Sequence, residues 1–72
     1  MKKYSVIISG HRTSISMEPD FWQALHQIAQ RRAMPFIRLI QEIDDHRTTG
    51  LSSAIRVFIL KELQKEIEQK NT

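Results

Sequence analysis

Few side chains in this sequence are of a type and spacing that could do covalent chemistry. The 72 residues include no cysteine, which excludes a thiol nucleophile, a disulfide and a thiolate zinc site. His11, His26 and His46 lie fifteen and twenty residues apart, so no two of them form a ligand pair at i, i+3 or i, i+4. Asp44-Asp45-His46 gathers three titratable groups. Neighbouring residues on a helix point in different directions, however, and the run reads as a solvated helix end. Ser52 and Ser53 have no positioned base and read as helix caps. Gly10 and Gly50 are the only two glycines, so a glycine-rich phosphate loop is excluded. His11 reads as a turn residue and His26 as a surface one. The expectation is a non-enzyme with no metal and no cofactor.

Cationic binding chemistry is better supported. The chain has 11 Lys+Arg against 8 Asp+Glu, a net charge of +3. Residues 1–38 hold six basic side chains (Lys2, Lys3, Arg12, Arg31, Arg32, Arg38) and two acidic ones (Glu18, Asp20), a net +4. Residues 39–72 hold five basic and six acidic, a net −1. A basic first half suits an anionic partner, whether nucleic acid or an anionic membrane surface. The plain alternative is an ordinary solvated face.

The elements that must position these groups follow from periodicity. Tyr4–Met17 is rich in β-branched residues and alternates, so it reads as extended. A Gly-X pair at Gly10-His11 suits a II′ turn. Such a turn would set Ile8 opposite Thr13, Val6 opposite Ile15 and Tyr4 opposite Met17, all on one face. Ser5, Ile7, Ser9, Arg12, Ser14 and Ser16 would share the other face.

Glu18-Pro19-Asp20 starts a helix, since Pro and acidic residues suit the first turn. Phe21, Leu25, Ile28 and Ala29 form its apolar stripe, flanked by Trp22. The helix is expected to end near Arg31-Arg32. Pro35 opens a second helix with Ile37, Ile40 and Ile43 inward and Phe36 and Leu39 beside them. Asp44 and Asp45 at its end face solvent or pair with Arg47. Gly50 suits the position just past a helix end. A third helix follows, with Ser52 or Ser53 as its cap. It is apolar almost all round from Ala54 to Leu60, interrupted only by Arg56, which requires burial on more than one side. Beyond Ile67 the chain turns Lys/Glu/Gln-rich and is expected to fray toward Thr72.

Length limits the core. Composition that is 40% apolar and 26% charged is globular, and 72 residues leave room for one domain spanning 1–72. A chain this short buries only ~60% of its unfolded surface. Without disulfide or metal, oligomerisation is the expected way to complete the core. Val6-Ile7-Ile8 is shorter than the ~7–15 residues of a signal-peptide core. No stretch reaches the ~18 apolar residues of a membrane span. A cytoplasmic location is therefore expected.

The segment Arg12–Ala29, an alternating strand leading into a helix with apolar residues at Phe21, Leu25, Ile28 and Ala29, is followed by a tight turn and a helix carrying Ile40. It resembles the ribbon-helix-helix (Arc/MetJ-like) family of DNA-binding proteins over roughly residues 11–47. A Gly-His-Arg-Thr-Ser-Ile-Ser run (Gly10–Ser16) and a Leu-Ser-Ser-Ala-x-Arg-Val-Phe run (Leu51–Phe58) extend the resemblance over nearly the whole chain. They match a bacterial subgroup of short ribbon-helix-helix proteins. The resemblance implies a mainly α fold with a short β ribbon, built as an intertwined homodimer. This chain adds a third C-terminal helix, and Tyr4–Ser9 is available as an extra N-terminal strand.

In that fold two chains pair their strands into an antiparallel ribbon that enters the DNA major groove. Met17 leads directly into the apolar face of the first helix, so Thr13, Ile15 and Met17 point inward. Arg12, Ser14 and Ser16 then fall on the family's three base-reading positions. The start of the second helix is implied as a phosphate seat, using the backbone amides of Phe36 and Ile37 with Arg38 one turn in. Pro35 departs from the small or hydroxyl residue common there. Lys2 and Lys3, read as a mobile arm, would add sequence-independent phosphate contacts.

The function implied is a sequence-specific, dimeric transcriptional regulator of double-stranded DNA, with no small-molecule substrate. The alternative is a dimeric interaction module that does not bind DNA, or an antitoxin-like protein-binding scaffold docking through the third helix. The hairpin option cuts across both. It could widen the ribbon to four strands, occupy the strand's free edge, or cover the face that would meet DNA.

Overall fold

The computed structural model describes residues 1–70, in the order β1 (Lys2–Ile8), β2 (His11–Met17), α1 (Pro19–Arg31), α2 (Phe36–His46) and α3 (Leu51–Lys70). Asn71 and Thr72, where fraying is expected, lie outside the described residues.

β1 and β2 pair antiparallel within the chain, so Tyr4–Ser9 is part of a hairpin. The connection is Ser9-Gly10, with φ of 52° and 80°, and Ile8 faces His11 across it. Two successive positive φ values are the signature of a I′ turn, whose twist matches that of the strands it joins. This corrects the Gly10-His11 turn expected from sequence and moves the register by two residues. Tyr4 lies opposite Ile15, Val6 opposite Thr13 and Lys2 opposite Met17. Side chains alternate with period two, so this slip leaves every one of them on its expected face.

The three helices cover the inner face of the hairpin. Val6, Ile8, Ile15 and Met17 pack with Leu25, Ile28 and Ala29 of α1, Leu39, Ile40 and Ile43 of α2, and Ile55 and Ile59 of α3. Among the described residues no polar or charged side chain is buried, so no desolvation cost opposes this core. At its edge Tyr4 stacks on Trp22, with ring centroids 4.1 Å apart. Trp22 meets Phe36 edge-on at 5.0 Å, and Phe36 stacks on His26 at 3.5 Å. This aromatic row ties β1 to both α1 and α2.

Two inward assignments change. Phe21 is exposed and Trp22 replaces it against the core, because the buried arc of α1 centres on Leu25, Ile28 and Ala29. In α2 the buried arc holds Leu39, Ile40 and Ile43, with Phe36 half-buried beside them. Ile37 then falls more than 90° from the arc's centre on the helical wheel and is exposed.

The helix ends have identifiable causes. α1 begins with Pro19 at its first position. It closes with a Schellman pair, Ala33 N–H to the Gln30 carbonyl at 3.0 Å and Met34 N–H to the Ala29 carbonyl at 3.1 Å. This puts Ala33 at φ 54°, where glycine is usual. α3 starts at Leu51, and the Gly50 carbonyl accepts from the Ala54 N–H at 2.9 Å. Ser52 and Ser53 therefore lie inside the first turn and are not its caps. Gly50 introduces α3 and does not close α2. Asp44 pairs with Arg47, Nε to Oδ1 at 2.6 Å, as its position suggested.

α3 is fixed to the rest of the chain by charge as well as by Ile55 and Ile59. Arg56 donates from Nε and Nη2 to one Glu18 oxygen, at 3.1 and 2.9 Å. Arg32 pairs with Glu62 and Arg31 with Glu66.

Three outcomes test this packing. Ile15→Ala is expected to lower the unfolding free energy by about 2–5 kcal/mol, while Ile7→Ala, on the outer face, changes it by under about 0.5 kcal/mol. Urea titration of both variants checks the phase of the hairpin. Ala33→Gly should stabilise the fold by roughly 1 kcal/mol, since it relieves a left-handed alanine. Loss of stability would show that the closing turn differs. Glu18 is held below the ordinary carboxylate pKa, first by its own backbone N–H and then by the Arg56 hydrogen bond. A lowered folded-state pKa gives a stabilisation that is complete above the unfolded value and lost as pH falls through the folded one. Melts of wild type and Glu18→Gln should accordingly differ at neutral pH and converge in acid. A gap that persists in acid would rule the carboxylate out as its source.

Candidate nucleic-acid interface

The outward face of the hairpin is set by alternation. Arg12, Ser14 and Ser16 of β2 project there, opposite Ile7, Ser5 and Lys3 of β1. Arg12 and Ser14 are exposed and Ser16 is half-buried, while Ile15 and Met17 between and beyond them are fully buried. β2 thus presents one basic and two hydroxyl side chains in a row. At ~3.4 Å per residue, Arg12 and Ser16 stand about 14 Å apart. Ile7 lies across from Arg12 on the same face and is 61% exposed.

Lys2 and Lys3 do not form an arm. Both belong to β1, and the register puts Lys2 opposite Met17 and Lys3 opposite Ser16. Alternation sends them to opposite faces. Lys3 joins the outward row, whereas the Lys2 ammonium sits 5.6 Å from the centre of the Tyr4 ring. The signal that separates them was in the sequence: the alternation read from Tyr4 onward continues back to residue 2.

The start of α2 lies toward the open end of the hairpin. Phe36 reaches Tyr4 through Trp22, and farther along Gln41 donates to the Ser9 hydroxyl at 3.3 Å. α2 therefore runs beside β1 in the same direction. Its first-turn amides are brought near the Lys2, Lys3 and Ser16 end and away from Arg12. Pro35 occupies the cap position, where no N–H is needed, and its carbonyl accepts from the Leu39 N–H at 3.1 Å. The N–H groups of Phe36, Ile37 and Arg38 have no partner within the helix, and no acidic residue lies in that turn. Pro35 thus leaves the first-turn amides of α2 unoccupied by the helix itself. Arg38 is exposed beside a shallow cleft it shares with Gln41, Glu42 and Asp45, so the positive potential weakens along that face.

The basic excess of the first half does not act as one patch. Arg31 and Arg32 are neutralised by Glu66 and Glu62 of α3. Among the described residues, Lys2, Lys3, Arg12 and Arg38 enter no ion pair. Within residues 1–38 the available cations are therefore those of the hairpin and the start of α2. Among the described residues no group of His, Asp and Glu could hold a metal ion. No helix among them is long and apolar enough to cross a membrane.

A hairpin ribbon leading into packed helices, with a basic and hydroxyl outer row, agrees with the comparison to known families. The model for the ribbon-helix-helix domain matches residues 1–63. No curated protein and no solved structure matches the chain. Domains of this family are commonly DNA-binding regulators and typically dimerise. They are typically regulatory modules without enzymatic activity. The match takes in both strands, α1, α2 and the part of α3 that packs on the core, and the chain belongs to the ribbon-helix-helix domain family.

Proposed function

We propose that the chain is a sequence-specific DNA-binding protein, a homodimeric transcriptional regulator in which residues 1–72 act as one domain. The observation that carries this reading is the unneutralised outward row of Arg12, Ser14 and Ser16, with Lys3 beside it. β2 has β1 on one side and no strand on the other among the described residues. Antiparallel pairing of two β2 strands through that free edge gives a four-stranded sheet with the two β2 strands at its centre. Centred on Ser14, the pair sets Arg12 of each chain beside Ser16 of the other.

Dimension favours the central pair as the groove-reading ribbon. Three strand spacings put the outer β1 strands about 14 Å apart, against a major groove about 12 Å wide. The β2 pair fits within the groove, and the β1 strands lie over its rims, where Lys3 meets phosphate. Arg12 can donate to guanine O6 and N7, while the two serines read bases permissively. The amides of Phe36 and Ile37, with Arg38, supply a phosphate seat at the start of α2. Lys2, on the other face, acts only through long-range attraction.

Binding to duplex DNA across a salt series tests the reading. Affinity should fall steeply with salt. Lys3→Ala is expected to weaken binding to all sequences alike and reduce the salt slope by about 1. Arg12→Ala should cost about 5–150-fold on a selected site, equivalent to ~1–3 kcal/mol, and relax the preference at one position. Absence of binding at ~50 mM salt, where phosphate contacts are strong, overturns it.

A further inference from the structure

We infer that α3 is a second self-association surface, on which two copies of this chain pair their third helices antiparallel, independently of the ribbon. Val57, Leu60, Leu63 and Ile67 are 48%, 53%, 43% and 60% exposed. Their spacing of three, three and four residues puts them on one stripe of the helix. Ile55 and Ile59, fully buried, line the adjoining face of α3, about 100° round the helix from Leu60, with Leu63 at the border between the two. The helix cannot simply roll to bury the stripe, because Arg56–Glu18, Arg32–Glu62 and Arg31–Glu66 hold its orientation. The sequence expectation that this helix is buried on more than one side is met on only one side within a single chain.

Charge and spacing point to a second copy as the occupant. Lys61 and Glu68 are seven residues apart on the same flank of the stripe, with opposite sign. When α3 pairs with itself antiparallel about a two-fold axis passing between Gln64 and Lys65, equal flanks meet. Lys61 of each copy then stands level with Glu68 of the other. The same axis interleaves the apolar side chains, since Ile67 of one copy falls between Leu60 and Leu63 of the other. Each flank therefore supplies both members of its own ion pair, which an isologous contact requires. Val57 extends the patch to the lip of a cleft between α2 and α3 floored by Leu39, Ile43 and Phe58. The patch is small, so the contact is weak and depends on concentration. It uses no residue of the hairpin and joins strand-paired dimers into larger assemblies.

The chain is cysteine-free, so a single introduced thiol reports the contact. Gln64→Cys, next to the axis on the meeting flank, should form a disulfide-linked pair of chains under mild oxidation. Lys65→Cys, turned away, should not. Leu60→Glu with Ile67→Glu should lower the mass seen by sedimentation at high concentration to that of the strand-paired dimer while leaving helicity unchanged. Lys61→Glu should weaken association, and adding Glu68→Lys should restore it. Equal cross-linking at both cysteine positions overturns the proposal, as does an unchanged mass in the double glutamate variant. Cross-linking at Gln64→Cys without restoration by the charge swap overturns the register. These readouts involve no DNA, so their failure is distinct from failure of the DNA-binding reading.

Discussion

Met17 stands where the period of the chain changes from two to 3.6, and the rest of the structure depends on its burial. It is the last residue of β2, fully buried, and Glu18-Pro19 immediately begins α1. With Met17 held in the core, alternation leaves no choice for the residues before it. Ile15 goes in; Arg12, Ser14 and Ser16 go out. A shift of one residue would place isoleucine and methionine in water and the arginine in the core. Burying a side chain of that size is worth about 1.5–3 kcal/mol, so several such reversals exceed the whole stability of a small domain. The exposed row is thus a consequence of the core. Chemistry on the outer face is placed by apolar residues on the inner one.

The charges divide into two groups by what α3 provides. Glu62 and Glu66 lie one turn apart and meet Arg32 and Arg31 at the end of α1, while Arg56 reaches back to Glu18 at its start. These exposed or half-exposed pairs contribute little individually. Their effect is to orient α3 and to remove two of the six cations in the first half from any role with an anion. Of the cations in the first half, those left without ion pairs among the described residues belong to the hairpin and the first turn of α2. A field that was diffuse when counted along the chain is concentrated on fewer residues in space.

α3 also shows how a short chain completes its core. One face supplies Ile55 and Ile59 to the interior, and the other leaves Leu60 and Ile67 in solvent. Among the described residues, twelve side chains are buried, all of them apolar, and they come from all five elements. The hairpin therefore closes the core from within a single chain, and the unmet apolar surface is displaced outward onto α3. The surfaces left open to a second chain are the free edge of β2 and the outer stripe of α3.

The sequence by itself determined the elements, their order and the faces of the two extended segments, and the structure decided that they pair as a hairpin. Alternation from Tyr4 to Met17, Pro19 and Pro35 at helix starts, and apolar spacing at Leu25, Ile28 and Ile40 are local signals, and local sterics and periodicity settle them. It also singled out α3 as apolar on two sides. Only the tertiary structure decided the register, the pairing of charges and the exact buried arcs. I′ and II′ turns both match the twist of the strands they join, so local preference does not separate Ser9-Gly10 from Gly10-His11, and the register is fixed by the pairing of Lys2–Ile8 with His11–Met17. Arg31 and Arg32 lose their availability to glutamates some thirty residues away, a proximity created by packing and invisible to spacing. Phe21 and Ile37 turn outward because a helix rotates to bury its whole apolar arc against the sheet, and a residue at the margin of that arc is decided by its neighbours.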